Sequence, residues 1–153
     1  MTSLKNMAKK KQDDLQENSS NTIDRSAIGK RNKNRGNRFE REMCNKLKVA
    51  GFDVSTTRAA DRSLDSKKCD IYFNNGTVPT IIQCKYTQAT PNYFKIKQEC
   101  PIKDKPFTIL WKKSESGQKH SPGTVAITDI DFFITLLSTY YEKINNDRIH
   151  TES

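Results

Sequence analysis

Apolar residues recur at Phe39, Met43, Leu47 and Ala50, spacings of four, four and three that lie along one face of a helix over Asn34 to Ala50. Gly51 supplies its natural stop. Phe52, Asp53 and Val54 read as a short strand, and the polar stretch from Ser55 to Lys68 as a loop of a length that usually carries function. Ile71 to Phe73 and Thr80 to Tyr86 are strand-like runs on either side of the turn signal Asn74-Asn75-Gly76-Thr77, so they predict a hairpin. Pro91 to Cys100 fits a short helix carrying Tyr93, Phe94 and Ile96. Phe107 to Trp111 and Thr124 to Ile127 are two further strands, separated by a polar turn from Lys112 to Pro122. Asp129 then serves as N-cap or first-turn acid for a helix over Ile130 to Ile144, with Ile130, Phe133, Ile134, Leu137, Tyr140, Tyr141 and Ile144 on one broad face. Phe132 and Leu136 lie off that face. The helix is therefore apolar nearly all round, which suits either the core of one monomer or a homodimer interface. The element order is α-β-β-β-α-β-β-α, and the fold class is α/β with a mixed sheet flanked by helices.

Composition adds a bias to this frame. The 153 residues are one domain's worth, 33% hydrophobic and 29% charged, with a formal net charge of +9 that favours a polyanionic partner. The first 38 residues hold ten basic side chains against four acidic ones, and all 13 aromatic residues lie at or after Phe39. Residues 1–28 therefore read as a disordered basic arm, 29–147 as the folded domain and 148–153 as a tail. The opening MTSLKNMAKKKQDD has no apolar segment behind its lysines, and no apolar run nears the roughly 20 residues that cross a bilayer. A cytoplasmic protein with no membrane association is expected. Cys44, Cys69, Cys84 and Cys100 form no C-x-x-C pair and have only His120 and His150 for company, so buried, reduced thiols are expected and a zinc site is not.

Strand alternation brings the first chemistry together. On the run Ile81 to Tyr86, Gln83 and Lys85 share one face while Ile82, Cys84 and Tyr86 share the other. A turn centred on Asn75 to Val78 pairs Phe73 with Thr80 and puts Asp70 opposite Gln83, with side chains about 5 Å apart. Such a cluster suits one metal ion or one water network, and equally a ladder of surface polar groups.

The stretch G-N-R-F-E-R-E at Gly36 to Glu42, C-D-I at Cys69 to Ile71 and Q-C-K at Gln83 to Lys85 resembles the PD-(D/E)xK nuclease signature in its Holliday junction resolvase form. F-T-I-L-W-K-K followed by T-V-A-I-T-D-I-D-F-F resembles the closing part of viral and phage resolvases. The resemblance implies a restriction-endonuclease-like α-β-β-β-α-β core with a C-terminal helix. It also implies metal ligands at Glu40, Asp70 and Gln83, with Lys85 as the catalytic cation beside the attacking water. Arg58 and Ser63 would take the positions of the family's loop arginine and serine, which touch DNA or the scissile phosphate. Two departures stand out. The family's proline before the aspartate is Cys69, and its acid-x-Lys acid is Gln83, a neutral amide that gives up one negative charge toward Mg2+. Asp61 or Asp65 could supply that charge.

Mg2+, with Mn2+ as substitute, would activate water and neutralise the phosphate, while Lys85 orients the nucleophile. Lys30, Arg31, Lys33, Arg35 and Arg38 on one side and Arg58 and Arg62 on the other bracket the site as DNA-binding residues. With few aromatic residues in these basic segments, shape-read contacts to the backbone of branched duplex DNA are expected over a stacking platform. Paired cuts in a four-way junction imply a homodimer. Another nuclease on the same fold, of repair, flap or restriction type, and a non-catalytic DNA-binding module are the competing readings.

Overall fold

The computed structural model describes residues 24–60, 68–76, 78–114 and 122–151. The chain divides into two compact units, Met1–Lys33 and Asn34–Ser153. Helix α1 covers Arg25–Val49. Its start is nine residues before the Asn34 that apolar spacing indicates, and inside the segment expected to be a disordered arm. The cause is local: Asp24 Oδ1 accepts the N–H groups of Ser26 (3.0 Å) and Ala27 (3.1 Å), an N-cap on a stretch too polar to show periodicity. The helix ends in a Schellman motif. Gly51 sits at φ 92°, its N–H reaches Lys48 O (2.9 Å), and Phe52 N–H reaches Leu47 O (3.0 Å).

The second unit is built on one five-stranded sheet in the order β1 to β5: β1 Val54–Thr56, β2 Ile71–Phe73, β3 Ile81–Thr87, β4 Phe107–Lys113 and β5 Thr124–Thr128. Only β3 and β4 run parallel. Their crossover holds α3, Tyr93–Glu99, capped where Asn92 Oδ1 accepts Lys95 N–H (3.0 Å). The polar run after Val54 is not all loop. It extends β1 and then forms a short helix α2, Thr57–Ala60, whose Thr57 N–H bonds Asp70 O (3.1 Å).

Alternation along β3 divides the core into two clusters. Ile82 and Cys84 pack with Phe39, Met43 and Cys44 of α1 and with Val54, Ile71 and Phe73. Ile81 packs with Cys69, Tyr93, Cys100, Phe107 and Ile109. Helices on both faces of a mixed sheet give the expected α/β, restriction-endonuclease-like arrangement. All four cysteines are buried and free of disulfides, as their spacing indicates.

Helix α4, Ile130–Thr151, runs beyond Ile144 into the stretch expected to be a tail. Asp129 caps it, with Oδ1 accepting Phe132 N–H (2.9 Å). Its broad apolar face is not packed into a core: Phe133, Ile134 and Leu137 are each more than 50% exposed, and Ile130, Tyr140 and Tyr141 more than 60%. No helix among the described residues is long and apolar enough to cross a membrane.

Candidate active site

The expected hairpin register is present. Ile71 faces Ile82, the pair that the expected register requires, and Asp70 is the residue just before β2. Asp70 is clasped to β3 on both sides of Gln83: its N–H bonds Ile82 O (2.8 Å), and its Oδ2 accepts Cys84 N–H (2.7 Å). Its carbonyl holds Thr57 at the start of α2, so one residue ties β2, β3 and α2 together. The short strand β2 alone would leave a carboxylate free to swing; this clasp fixes one of its oxygens.

Gln83 is 5% exposed, and its Oε1 is buried with no hydrogen-bond partner among the described residues. An orphaned amide oxygen in such a place costs about 1–3 kcal/mol unless something binds it. Lys85 follows on the same face of β3, half-buried, at the register position of Trp111.

Glu40 comes from the other side of the sheet. Helix α1 lays Phe39, Met43 and Cys44 on the core, and Glu40, next to Phe39, is drawn in to 8% exposure. A buried carboxylate requires a cationic or hydrogen-bonding partner. Arg58 on α2 provides a fork, Nε to Oε2 at 3.3 Å and Nη2 to Oε1 at 3.4 Å. Glu40 and Arg58 share a cleft of about 320 Å³ with Asn37, Arg41, Thr56 and Ala59. Glu40 and Asp70 both lie near the Cys84 thiol. Burial first, then these two carboxylates, push that thiol far above its ordinary pKa. The same causes, burial and then Asp70 among the charges, raise Cys69 to about 11. Both thiols are therefore protonated at neutral pH.

Asp70 and Gln83 offer oxygen donors of the kind that a hard divalent cation takes, while Glu40 approaches Cys84 from the opposite face. No group of three His, Cys, Asp or Glu side chains able to hold a metal occurs among the described residues, as expected where the third position is an amide. Ser63, Arg62, Asp61 and Asp65 lie outside the described residues. Lys30, Arg31 and Lys33 lie on α1 in the first unit, and Arg35 and Arg38 on α1 in the second, all exposed. Sequence reasoning missed Arg41, Asn37 and Thr57. Helical spacing from Glu40 could have found Asn37, three residues before it; Arg41, the next residue round the helix, has no such signal, and Thr57 depends on a helix with no apolar signature.

No curated protein and no solved structure matches the chain. Residues 31–101, from within α1 to just past α3, match the family model described as archaeal Holliday junction resolvase (Hjc), and this stretch contains Glu40, Asp70, Gln83 and Lys85, the residues on which the resolvase resemblance rests.

Proposed function

We propose that the chain is a metal-dependent endonuclease that resolves four-way DNA junctions by paired phosphodiester hydrolysis. The observation that carries this reading is the buried, unpartnered Oε1 of Gln83, together with the clasp of the Asp70 carboxylate on the neighbouring Cys84. The family match over residues 31–101 supports the same reading.

Glu40, Asp70 and Gln83 would hold Mg2+, which when bound supplies charge neutralisation at the phosphate and a more acidic water. Gln83 then gains the partner it lacks. Lys85 sits two residues along the same strand face, so its ammonium can orient the attacking water by donating to it and offset charge on the phosphate oxygens. Arg58, which forks onto Glu40, would turn to the phosphate once a cation takes over that carboxylate. Arg41 on α1 and Arg58 on α2 line the cleft, and the chain's surplus of +9 favours a polyanion.

Two symmetric cuts call for two sites related by a twofold axis. The exposed apolar side of α4 supports a second copy of the chain as its cover, because a face this apolar is rarely left in water. A soluble, cytoplasmic homodimer acting on branched DNA completes the proposal.

Labelled four-way junctions, flaps and linear duplex, each incubated with Mg2+ or EDTA, test it. Paired nicks near the crossover, only with metal, are expected; binding to every substrate without cleavage in Mg2+ or Mn2+ sinks the enzyme reading. Asp70→Asn and Lys85→Ala should abolish cutting and leave junction affinity nearly intact. Parallel loss of binding would make both residues structural.

A further inference from the structure

Helix α1 has a second flank that the catalytic cleft does not use. On the side away from Glu40, a cavity of about 260 Å³ is lined by Arg35, Arg38, Phe39, Glu42, Tyr86 and Lys112. Parallel pairing of β3 with β4 sets Lys112 beside Tyr86 on the sheet face that α1 covers. The Lys112 ammonium lies 5.7 Å from the Phe39 ring centroid and 6.0 Å from that of Tyr86, and the Arg35 guanidinium lies 5.9 Å from Tyr86. Two cations are thus steadied on aromatic faces at the wall of one cavity.

The charges in this cavity do not balance. Three cations meet one acid, Glu42, which holds Lys112 through Oε2 at 2.8 Å and Oε1 at 3.2 Å. That bond, with the Lys112 and Lys46 charges, outweighs the opposing effect of burial and keeps the Glu42 carboxyl below its ordinary pKa, so it stays ionised. Neither Arg35 nor Arg38 has an acidic partner among the described residues. The volume is below the roughly 300–1,000 Å³ of pockets that take small organic ligands, and its cationic wall suits a compact anion.

We propose that this cavity is a second DNA-contact site, a receptor for one backbone phosphate, in which Arg35, Arg38 and Lys112 converge on the anion and Glu42 holds Lys112 in reserve. A strand phosphate entering it displaces the Glu42 carboxylate from Lys112. The inference rests on the reading of the chain as a DNA-acting protein. It adds a contact on the flank of α1 opposite the catalytic cleft.

The test is equilibrium binding of a labelled four-way junction in EDTA across a salt series, with thermal melting of each variant as a folding control. Lys112→Gln should weaken binding about fivefold at moderate salt and lower the slope of log affinity against log salt by about one. Glu42→Gln, which removes the competing acid, should do the reverse, tightening binding and steepening the slope. Tyr86→Leu should weaken binding and Tyr86→Phe restore it, because the ring is what positions the cations. A mere structural bridge between Lys112 and Glu42 predicts no change, or changes in the same direction for both partners, and either result overturns the site. Thermal stabilisation by inorganic phosphate that Lys112→Gln removes, with DNA affinity unchanged, would make it a free-anion site and also overturn the proposal. Protein that binds junctions and never cuts them removes the nuclease reading and leaves this one standing. Protein that cuts normally while Glu42→Gln and Lys112→Gln bind like wild type removes this one alone.

Discussion

The proposed chemistry turns on Gln83, and the position of this residue is legible from the sequence alone. Strand alternation and the turn at Asn75 place it opposite Asp70, and the observed pairing of Ile71 with Ile82 is the one that this register requires. What the sequence did not contain was its burial, which depends on α3 and β4 closing over Ile81 and Ile109 on the same face. Gln83→Glu adds a third carboxylate to the proposed site, at a position that is 5% exposed. The variant should melt at lower temperature than wild type in EDTA and recover more than wild type on adding Mg2+, with tighter Mg2+ binding by titration calorimetry. Equal responses of the two proteins would remove Gln83 from the ligand set. Arg58 takes the position of the family's loop arginine by resemblance, and in the structure it forks onto Glu40, a contact that depends on α2 forming in a stretch with no apolar pattern. Because guanidinium and metal compete for one carboxylate, Arg58→Ala should bind Mn2+ several-fold more tightly by electron paramagnetic resonance, while cutting DNA more slowly at saturating metal. Weaker Mn2+ binding would mean that Arg58 positions Glu40 for the metal.

Among the elements, α1 shows how far periodicity reaches. Phe39, Met43 and Leu47 locate its buried face, but its polar first turns are held by Asp24 and invisible to an apolar pattern. Gly36 is in the middle of this helix, where a glycine costs about 1 kcal/mol relative to alanine. A Cβ built there meets nothing within 4 Å, so the protein's own packing does not require the missing side chain. Gly36→Ala should therefore raise the melting temperature by about 2–4 °C. If DNA backbone approaches the helix at this point, the same variant should bind junctions more weakly, as a gel-shift titration would reveal; unchanged affinity would place the strand elsewhere. Helix α4 supplies the other lesson. Its apolar residues were readable one by one, yet whether they face a core or solvent depends on what lies opposite, and here more than half of each of Phe133, Ile134 and Leu137 is exposed. Its N-cap is acid-sensitive. The Asp129 carboxyl is held below its ordinary 3.8, chiefly by the Phe132 N–H and then by Lys97, so its contribution is complete above that value and lost as pH falls through the lowered one. Asp129→Ala should cost about 1 kcal/mol at neutral pH and nothing further at pH 2, measured by urea unfolding.

For the whole molecule, the surplus of +9 and the exposed apolar side of α4 are the two features that the proposed function uses, the first toward DNA and the second toward a second copy of the chain. Leu137→Asp in the middle of that helix should convert a dimer to monomer by analytical ultracentrifugation and replace paired nicks with single, uncoordinated ones. A wild-type chain that sediments as a monomer with its activity intact would remove the dimer. Apart from α2, the order of elements could be read from hydrophobic spacing, and the β2 to β3 register from the turn between them, because short-range geometry dictates both. The cavity formed by Tyr86, Lys112 and α1 could not, because it needs β3 and β4, separated by a crossover, to lie side by side. Hydrolysis at Glu40, Asp70 and Gln83, as proposed, is decided by a four-way junction labelled on each strand in turn. Wild type with Mg2+ should give symmetric nick pairs near the crossover, and Asp70→Asn should bind the same junction and leave it whole. Undiminished cutting by Asp70→Asn, or no cutting by wild type in either Mg2+ or Mn2+, would contradict it.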